Sequence, residues 1–404
     1  MKIGVYGGTF NPPHLGHITA ARAVFELLKL DKLLMIPTGH PPHKQLPPGS
    51  PTAEQRLELS RLAADQLGLG DRAEVLDLEL RREGSSYTAD TLAQIHALYP
   101  DAELWLLMGT DMFLTLQAWH APDEIFALAG VAAFGRTEAD TEELFAVQRS
   151  YLYRTYPNAR IFTLTIPGVV DVSSTELRAK LAAGQGAELL PPAVYGCILR
   201  EGLYQTGADL KHLDLARLRP VALSYLNHRR IPHVLGTEQE AIRLAVRWGA
   251  DVDKARRAAL LHDCTKRLNL EEQLSLCRQW ALPLDGLEER ELKLLHSRTG
   301  AEIAARVFGE DPEVVSAIRW HTTGRAGMTL LEKVLYLADY IEPSRDFPGV
   351  EDLRRKCCED LDGGLRMGLE MTIQEMTDRG LPIHRATLEA RDALTTPTNG
   401  CKEG

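Results

Sequence analysis

Along the first half of the chain, short apolar runs alternate with longer stretches in which apolar residues return every three or four positions. The runs at 3–6, 33–36, 73–80, 104–108, 131–134 and 161–166 are each followed by turn-forming or polar residues, and they predict strands. Helical spacing fills the intervals, as over 20–30 and 53–67. Strands alternating with helices predict an α/β domain of Rossmann-like type, a parallel sheet covered by helices on both faces. The pattern changes near residue 205. From 215 to about 395, apolar pairs recur at helical spacing, as in Ala241-Ile242, Leu244-Ala245 and Trp248, with turn signals such as Gly249-Ala250-Asp251 between segments. This half predicts an all-α domain. The expected organisation is a first domain over 1–204, a polar linker over 205–214, a helical domain over 215–394 and a disordered tail over 395–404. Six prolines between Pro37 and Pro51 mark a long irregular loop, of the kind that often serves as a lid.

Composition changes this picture mainly by exclusion. With 44% hydrophobic and 25% charged residues in 404, the chain has ordinary globular make-up. Its longest uncharged apolar stretch, about 125–135, is well short of the ~18 residues that a membrane span needs. The first strand starts with the chain and no charged and apolar leader precedes it, so a cytoplasmic location is expected. Net charge is −10, with 17 Lys and Arg against 24 Asp and Glu in residues 1–205 and 29 against 32 in the rest. Neither half has the basic field that a nucleic-acid backbone requires. Six cysteines show neither a disulfide framework nor Cys-x-x-Cys metal spacing, which fits reduced thiols. No nucleic acid and no membrane are expected as partners, and homo-oligomerisation is left open.

Candidate chemistry lies in two places. Gly7-Gly8-Thr9-Phe10 follows the first strand, and Asn11-Pro12-Pro13-His14-Leu15-Gly16-His17 leads into a helix. Glycines at such a turn let the backbone approach a phosphate, and the helix start adds oriented N–H groups. The spacing matches neither Gly-x-Gly-x-x-Gly nor a Walker A loop, so it identifies an anion site without a reaction. His14 and His17, three apart, share a helix face and suit charge stabilisation beside a phosphate. Far downstream, Val172-Ser173-Ser174-Thr175-Glu176-Leu177-Arg178 either caps a helix or grips a polyphosphate.

Together these segments resemble the nucleotidylyltransferase superfamily. More narrowly, with Pro42-His43-Lys44, Ser86-Tyr87-Thr88, Gly109-Thr110-Asp111 and Trp119, residues 1–204 look like bacterial nicotinate-nucleotide adenylyltransferases. That family often has Asp where this chain has Asn11. The resemblance implies transfer of AMP from ATP to nicotinate mononucleotide by in-line attack. Pyrophosphate is released, Mg²⁺ assists, and no covalent enzyme intermediate forms. It places Gly7, Gly8, Thr9, Phe10, Lys44, Ser174, Thr175 and Arg178 against ATP and its phosphates, and His14 and His17 at the transition state. Tyr87, Thr88, Asp111 and Trp119 would bind the mononucleotide, with Asp111 on a ribose hydroxyl.

The helical half contains His233, His262-Asp263, His296, His321 and Asp339. Histidines on several helices can converge inside a bundle, and mixed imidazole and carboxylate ligands suit iron, manganese, zinc or similar ions. The contexts His233-Val234-Leu235-Gly236, Leu260-Leu261-His262-Asp263-Cys264-Thr265-Lys266, Leu294-Leu295-His296, Trp320-His321-Thr322-Thr323-Gly324-Arg325 and Tyr336-Leu337-Ala338-Asp339-Tyr340-Ile341-Glu342-Pro343 resemble HD-domain phosphohydrolases. Within these the similarity is to bacterial symmetrical diadenosine tetraphosphate hydrolases, over about 215–390. The resemblance implies a dinuclear centre, often iron, held by these six residues, with Asp263 catalytic and Lys266 and Arg325 as phosphate contacts. Metal-activated water would then cleave diadenosine tetraphosphate to two ADP. His228 and His384 match no such motif and read as structural.

The whole chain therefore reads as a bifunctional enzyme. One rival within the transferase class is adenylylation of phosphopantetheine, flavin mononucleotide or nicotinamide mononucleotide. A rival of another class makes the helical half a nucleotide-sensing or scaffold module without turnover, which its complete ligand set opposes.

Overall fold

In a computed structural model of the protein the apolar runs of the first half become six strands: β1 Lys2–Gly8, β2 Lys32–Pro37, β3 Ala73–Val75, β4 Glu103–Gly109, β5 Ala129–Gly135 and β6 Ile161–Thr165. The structure describes residues 1–39, 46–135, 139–166, 173–207 and 209–395. The strands form one sheet in the order β3-β2-β1-β4-β5-β6, every pair parallel. Helices must then cover both faces, and β5 is buried along its whole length. The run expected as a strand over 73–80 pairs only as Ala73–Val75. Beyond it Leu80 N–H donates to the Asp77 carbonyl at 3.0 Å, a turn that takes the chain off the ladder.

From β1 the sheet grows one way through β2 and β3, then the other way through β4, β5 and β6. Strand order thus reverses between β1 and β4, and in such sheets a crevice opens there at the carboxyl ends. β1 ends in Gly7-Gly8, in register with Ile36-Pro37 of β2, and β4 ends at Gly109. One side chain ties this crevice together from below. Arg56, on the helix Ala53–Asp65, is buried, and its guanidinium donates to the carbonyls of Thr9 at 3.1 Å, Thr38 at 2.6 Å and Gly39 at 3.4 Å. These carbonyls lie just past β1 and β2, where no ladder partner is available.

The chain divides into two compact units, Met1–Ala208 and Asp209–Gly404. Among its described residues the second unit holds helices and no strand. Asp214, Asp251, Asn269 and Thr329 cap four of its helices, each side chain accepting a main-chain N–H three residues on. The helix Ile231–Trp248 packs on Val252–Leu261 and on Leu330–Ile341. No described helix is long and apolar enough to cross a membrane. Residues 396–404 of the expected tail lie outside the described residues.

Arg56 generates a stability prediction. Replacing it by Leu leaves buried carbonyls unpaired, and hydrogen bonds to a charged donor contribute about 1.5–3 kcal/mol each. Arg56→Leu should destabilise the first unit by at least about 3 kcal/mol, read as a fall in the denaturation midpoint.

Candidate functional site

In the first unit a cavity of about 420 Å³ lies against the β1 turn. Its wall is drawn from Gly7, Gly8, Thr9, Asn11 and His17 after β1, from Tyr87, Thr88, Asp111 and Trp119, and from Ser174, Thr175 and Arg178. A Cβ on Gly7 would meet nothing within 4 Å, so that wall is open. Ser174, Thr175 and Arg178 sit on the helix Ser174–Ala182, whose start is capped by Ser173 accepting from Glu176 N–H at 3.1 Å. Arg178 Nη2 donates to Thr175 Oγ1 at 3.0 Å and Nη1 to the Asn11 carbonyl at 2.9 Å, which joins segments far apart in sequence.

The tautomer of His17 follows from its neighbour. The main-chain N–H of His14 donates to His17 Nδ1 at 3.2 Å. With Nδ1 accepting, the neutral ring carries its proton on Nε2, a donor suited to phosphate oxygen. The structure does not bring two other expected groups to the cavity wall. His14 is buried against the His17 ring, centroids 3.7 Å apart. The Phe10 ring is core, edge-on to Tyr6 at 5.5 Å and to His17 at 5.4 Å. An apolar ring at this turn gains more from burial than from a phosphate, so Phe10 braces His17. Lys44 lies outside the described residues. Residues not expected from the sequence also line the cavity. His120 lies against the Tyr87 ring with centroids 4.3 Å apart, and buried Glu79 accepts from Thr91 Oγ1 at 2.8 Å. Burial raises the Glu79 carboxyl above its usual range.

In the second unit the six expected ligands converge. His233 Nε2 is 3.0 Å from Asp339 Oδ1 and 3.3 Å from His262 Nε2. His296 Nε2 is 3.0 Å from His321 Nε2. Asp263 stands between the two groups, with Oδ2 3.4 Å from His262 Nε2 and Oδ1 3.4 Å from His296 Nε2. His262 is the C-terminal cap of Val252–Leu261, still in α-helical conformation with its N–H bonded to the Ala258 carbonyl, and Asp263 follows it directly.

The donor set fits divalent cations. The Nδ1 atoms of His262 and His321 face main-chain carbonyls at 2.7 Å, and that of His233 faces Glu342 Oε1 at 3.0 Å. These acceptors keep the proton on Nδ1, so Nε2 lone pairs point at the shared centre, where only a proton or a cation relieves their repulsion. Burial pushes His321 down to about 4, and burial with nearby Lys266 holds His296 well below the usual range, so both are neutral near pH 7. Burial opposes charge on His262, yet Asp263 and Asp339 raise it. Burial also opposes ionisation of Asp263 and Asp339, but the neighbouring imidazoles and cations keep both carboxyls well below their usual range. Asp263 Oδ1 is buried with no hydrogen-bond partner among the described residues. Two anionic carboxylates among convergent imidazoles suit a divalent cation, and two overlapping groups, His233-His262-Asp339 and His262-Asp263-His321, have the spacing to hold one.

Lys266 Nζ is 3.1 Å from His296 Nε2, within this cluster. Arg325 is instead engaged with buried Glu332, through Nε at 3.1 Å and Nη2 at 3.0 Å. Three groups were not expected from the sequence. Arg230 contacts Asp263, Arg345 donates to Asp339 Oδ1 at 2.9 Å, and Glu342 orients His233. Each lies within six residues of a ligand, but an Arg or Glu so placed on a helix has no specific signature.

A parallel sheet with an anion-type turn at its switch point, followed by a helical unit with a convergent His–Asp cluster, defines a nucleotidylyltransferase-type domain joined to an HD-type domain. Residues 5–180 match the cytidylyltransferase-like family model, and residues 230–344 match the HD domain. A probable nicotinate-nucleotide adenylyltransferase of Shewanella sp. strain MR-7 is 37% identical over 216 residues, covering 50% of this chain and 99% of the relative. Its counterpart in Shewanella baltica strain OS223 is 37% identical over 220 residues, with the same coverage. Through its first half, the chain belongs to the nicotinate-nucleotide adenylyltransferase family. Among solved structures, an HD superfamily hydrolase involved in NAD metabolism from Clostridium acetobutylicum is 40% identical, covering 45% of this chain and 97% of that one, with a TM-score of 0.44. The Plasmodium falciparum nicotinic acid mononucleotide adenylyltransferase complexed with NaAD is 16% identical, covering 51% and 98%, with a TM-score of 0.43.

The Glu342 contact can be tested by metal affinity. Loss of a carboxylate that orients a ligating imidazole weakens metal binding by about 10–100-fold. Glu342→Ala should show that loss in a Mn²⁺ titration while keeping its helical circular dichroism.

Proposed function

We propose that the first unit transfers the adenylyl group of ATP to nicotinate mononucleotide, giving nicotinate adenine dinucleotide and pyrophosphate. What carries this reading is a single cavity whose wall includes His17, with a proton on Nε2, the Ser174–Arg178 helix start, and the Tyr87, Asp111 and Trp119 side chains. The mononucleotide 5′-phosphate attacks the α-phosphorus of ATP in line, and the bond to pyrophosphate breaks as the new P–O bond forms. No protein group bonds to phosphorus. His17 donates Nε2–H to phosphate oxygen as charge builds, and Arg178, Ser174 and Thr175 hold the departing pyrophosphate. Mg²⁺ enters with ATP and neutralises phosphate charge.

For the second unit the proposal is hydrolysis of diadenosine tetraphosphate to two ADP. The observation behind it is the division of the Asp263 oxygens between two histidine groups. Two metal ions, with iron the expected choice, would be held by His233, His262, Asp263, His296, His321 and Asp339. When bound, such ions supply Lewis acidity and an acidified water. Lys266, whose Nζ lies 3.1 Å from His296 Nε2, would meet a phosphate oxygen there. The direct test is product identification by mass. The protein is incubated with ATP and nicotinate mononucleotide, nicotinamide mononucleotide or phosphopantetheine in turn, and separately with diadenosine tetraphosphate.

Nicotinate mononucleotide should be the preferred acceptor; equal or better turnover of the amide, or turnover only of phosphopantetheine, overturns the first assignment. His17→Ala should lower kcat by roughly 10²–10³ with the fold intact, the scale for one well-placed donor. Asp263→Ala should lose bound metal and diadenosine tetraphosphate hydrolysis together while adenylyl transfer continues. Metal content and both activities, measured on one folded preparation, check this, and full metal occupancy with retained hydrolysis would rule out the role of Asp263.

A further inference from the structure

Asn11 is buried at the β1 turn, and three of its polar groups are committed. Its Oδ1 accepts from the Tyr204 hydroxyl at 2.8 Å, its Nδ2 donates to Ser50 Oγ at 2.9 Å, and its main-chain carbonyl accepts from Arg178 Nη1 at 2.9 Å. Ser50 Oγ gives its own proton to the Pro47 carbonyl at 2.7 Å, so it can only accept from Asn11. An aspartate at position 11 would face that oxygen with a second acceptor.

Tyr204 is held in an uncommon conformation to make its contact. It lies in the short turn Leu203–Gln205 with φ 55° and ψ 33°, and Gln205 follows with φ 63°. Left-handed backbone at a bulky residue persists only where the surroundings enforce it. Here the buried ring and the hydroxyl bond to Asn11 do so. Burial also pushes the phenol well above its usual pKa, so the hydroxyl remains a donor.

We propose that Tyr204 and Asn11 are positioning residues for adenylyl transfer: the Tyr204 hydroxyl holds Asn11, and the Asn11 carbonyl in turn holds the Arg178 guanidinium in the cavity wall. This rests on the reading above that Arg178 serves the ATP phosphates. Arg178 is pinned from two sides, by Asn11 and by Thr175, and its remaining N–H groups are thereby presented at a fixed angle. Such preorganisation lowers the barrier because the donor need not reorient as pyrophosphate charge develops.

The test is a double-mutant cycle on the full chain, following nicotinate adenine dinucleotide formation. Tyr204→Phe, which keeps the ring, should lower kcat by about tenfold, within the range for a displaced catalytic group. KM for nicotinate mononucleotide should move by no more than about twofold, since that substrate meets other walls. In an Arg178→Ala background, Tyr204→Phe should have almost no further effect, as expected for groups acting in one chain. Asn11→Asp, which keeps the acceptor for Tyr204, should retain more activity than Asn11→Ala. Equal losses from Tyr204→Phe in both backgrounds, or a lowered Tm with unchanged kcat, overturn the relay. Wild-type protein that forms no dinucleotide overturns the transferase reading, and the relay with it, as a separately visible result.

Discussion

Polar groups and charge held away from water must be matched within the protein, and each unit is organised around that requirement. In the second unit, imidazole nitrogens face one another at 3.0 and 3.3 Å beside two ionised carboxylates. Main-chain carbonyls and Glu342 keep the protons on the far side of three of the rings. The surrounding helices hold in place an arrangement whose donor set suits a divalent cation. In the first unit the corresponding problem is main-chain carbonyls left without ladder partners past β1 and β2. Guanidinium groups answer it, Arg56 for Thr9, Thr38 and Gly39, and Arg178 for Asn11.

The ends of secondary-structure elements do most of the aiming. His262 and Asp263 lie at the end of Val252–Leu261, and His321 likewise sits at the end of Pro312–Trp320. β1 and β4 end beside one another because strand order reverses between them, so the Gly7-Gly8 turn and the Gly109-Thr110 helix start share a cavity. Regular elements provide rigidity, and the breaks between them provide direction.

Much of this was legible beforehand. Five of the six apolar runs fall on strands, most plainly β5, which is apolar throughout because it is buried along its whole length. The run at 73–80 pairs only at its start, since a turn at Asp77 ends pairing while Leu76, Leu78 and Leu80 continue the alternating apolar pattern. Of the residues legible in the helical half as metal-type ligands, His233, His262 and Asp339 form one close group and His262, Asp263 and His321 another. His14, singled out with His17 by their spacing, and Phe10, implied by the resemblance, both pack against the His17 ring. Arg325, a phosphate contact by the resemblance, is engaged through Nε and Nη2 with the buried carboxylate of Glu332.

Sequence by itself determined the class of each unit, the alternation that makes a parallel sheet, and the residue types able to bind anions and metals. These follow from local periodicity and from the chemistry of single side chains. Tertiary structure alone decided which of those groups share a site and which proton each carries. The tautomer of His17 depends on the His14 N–H, that of His233 on Glu342 109 residues away, and the orientation of Arg178 on a turn 167 residues earlier. The last two contacts are set by packing, and no local pattern encodes them, because hydrogen-bond partners are chosen by distance in space and not by separation along the chain.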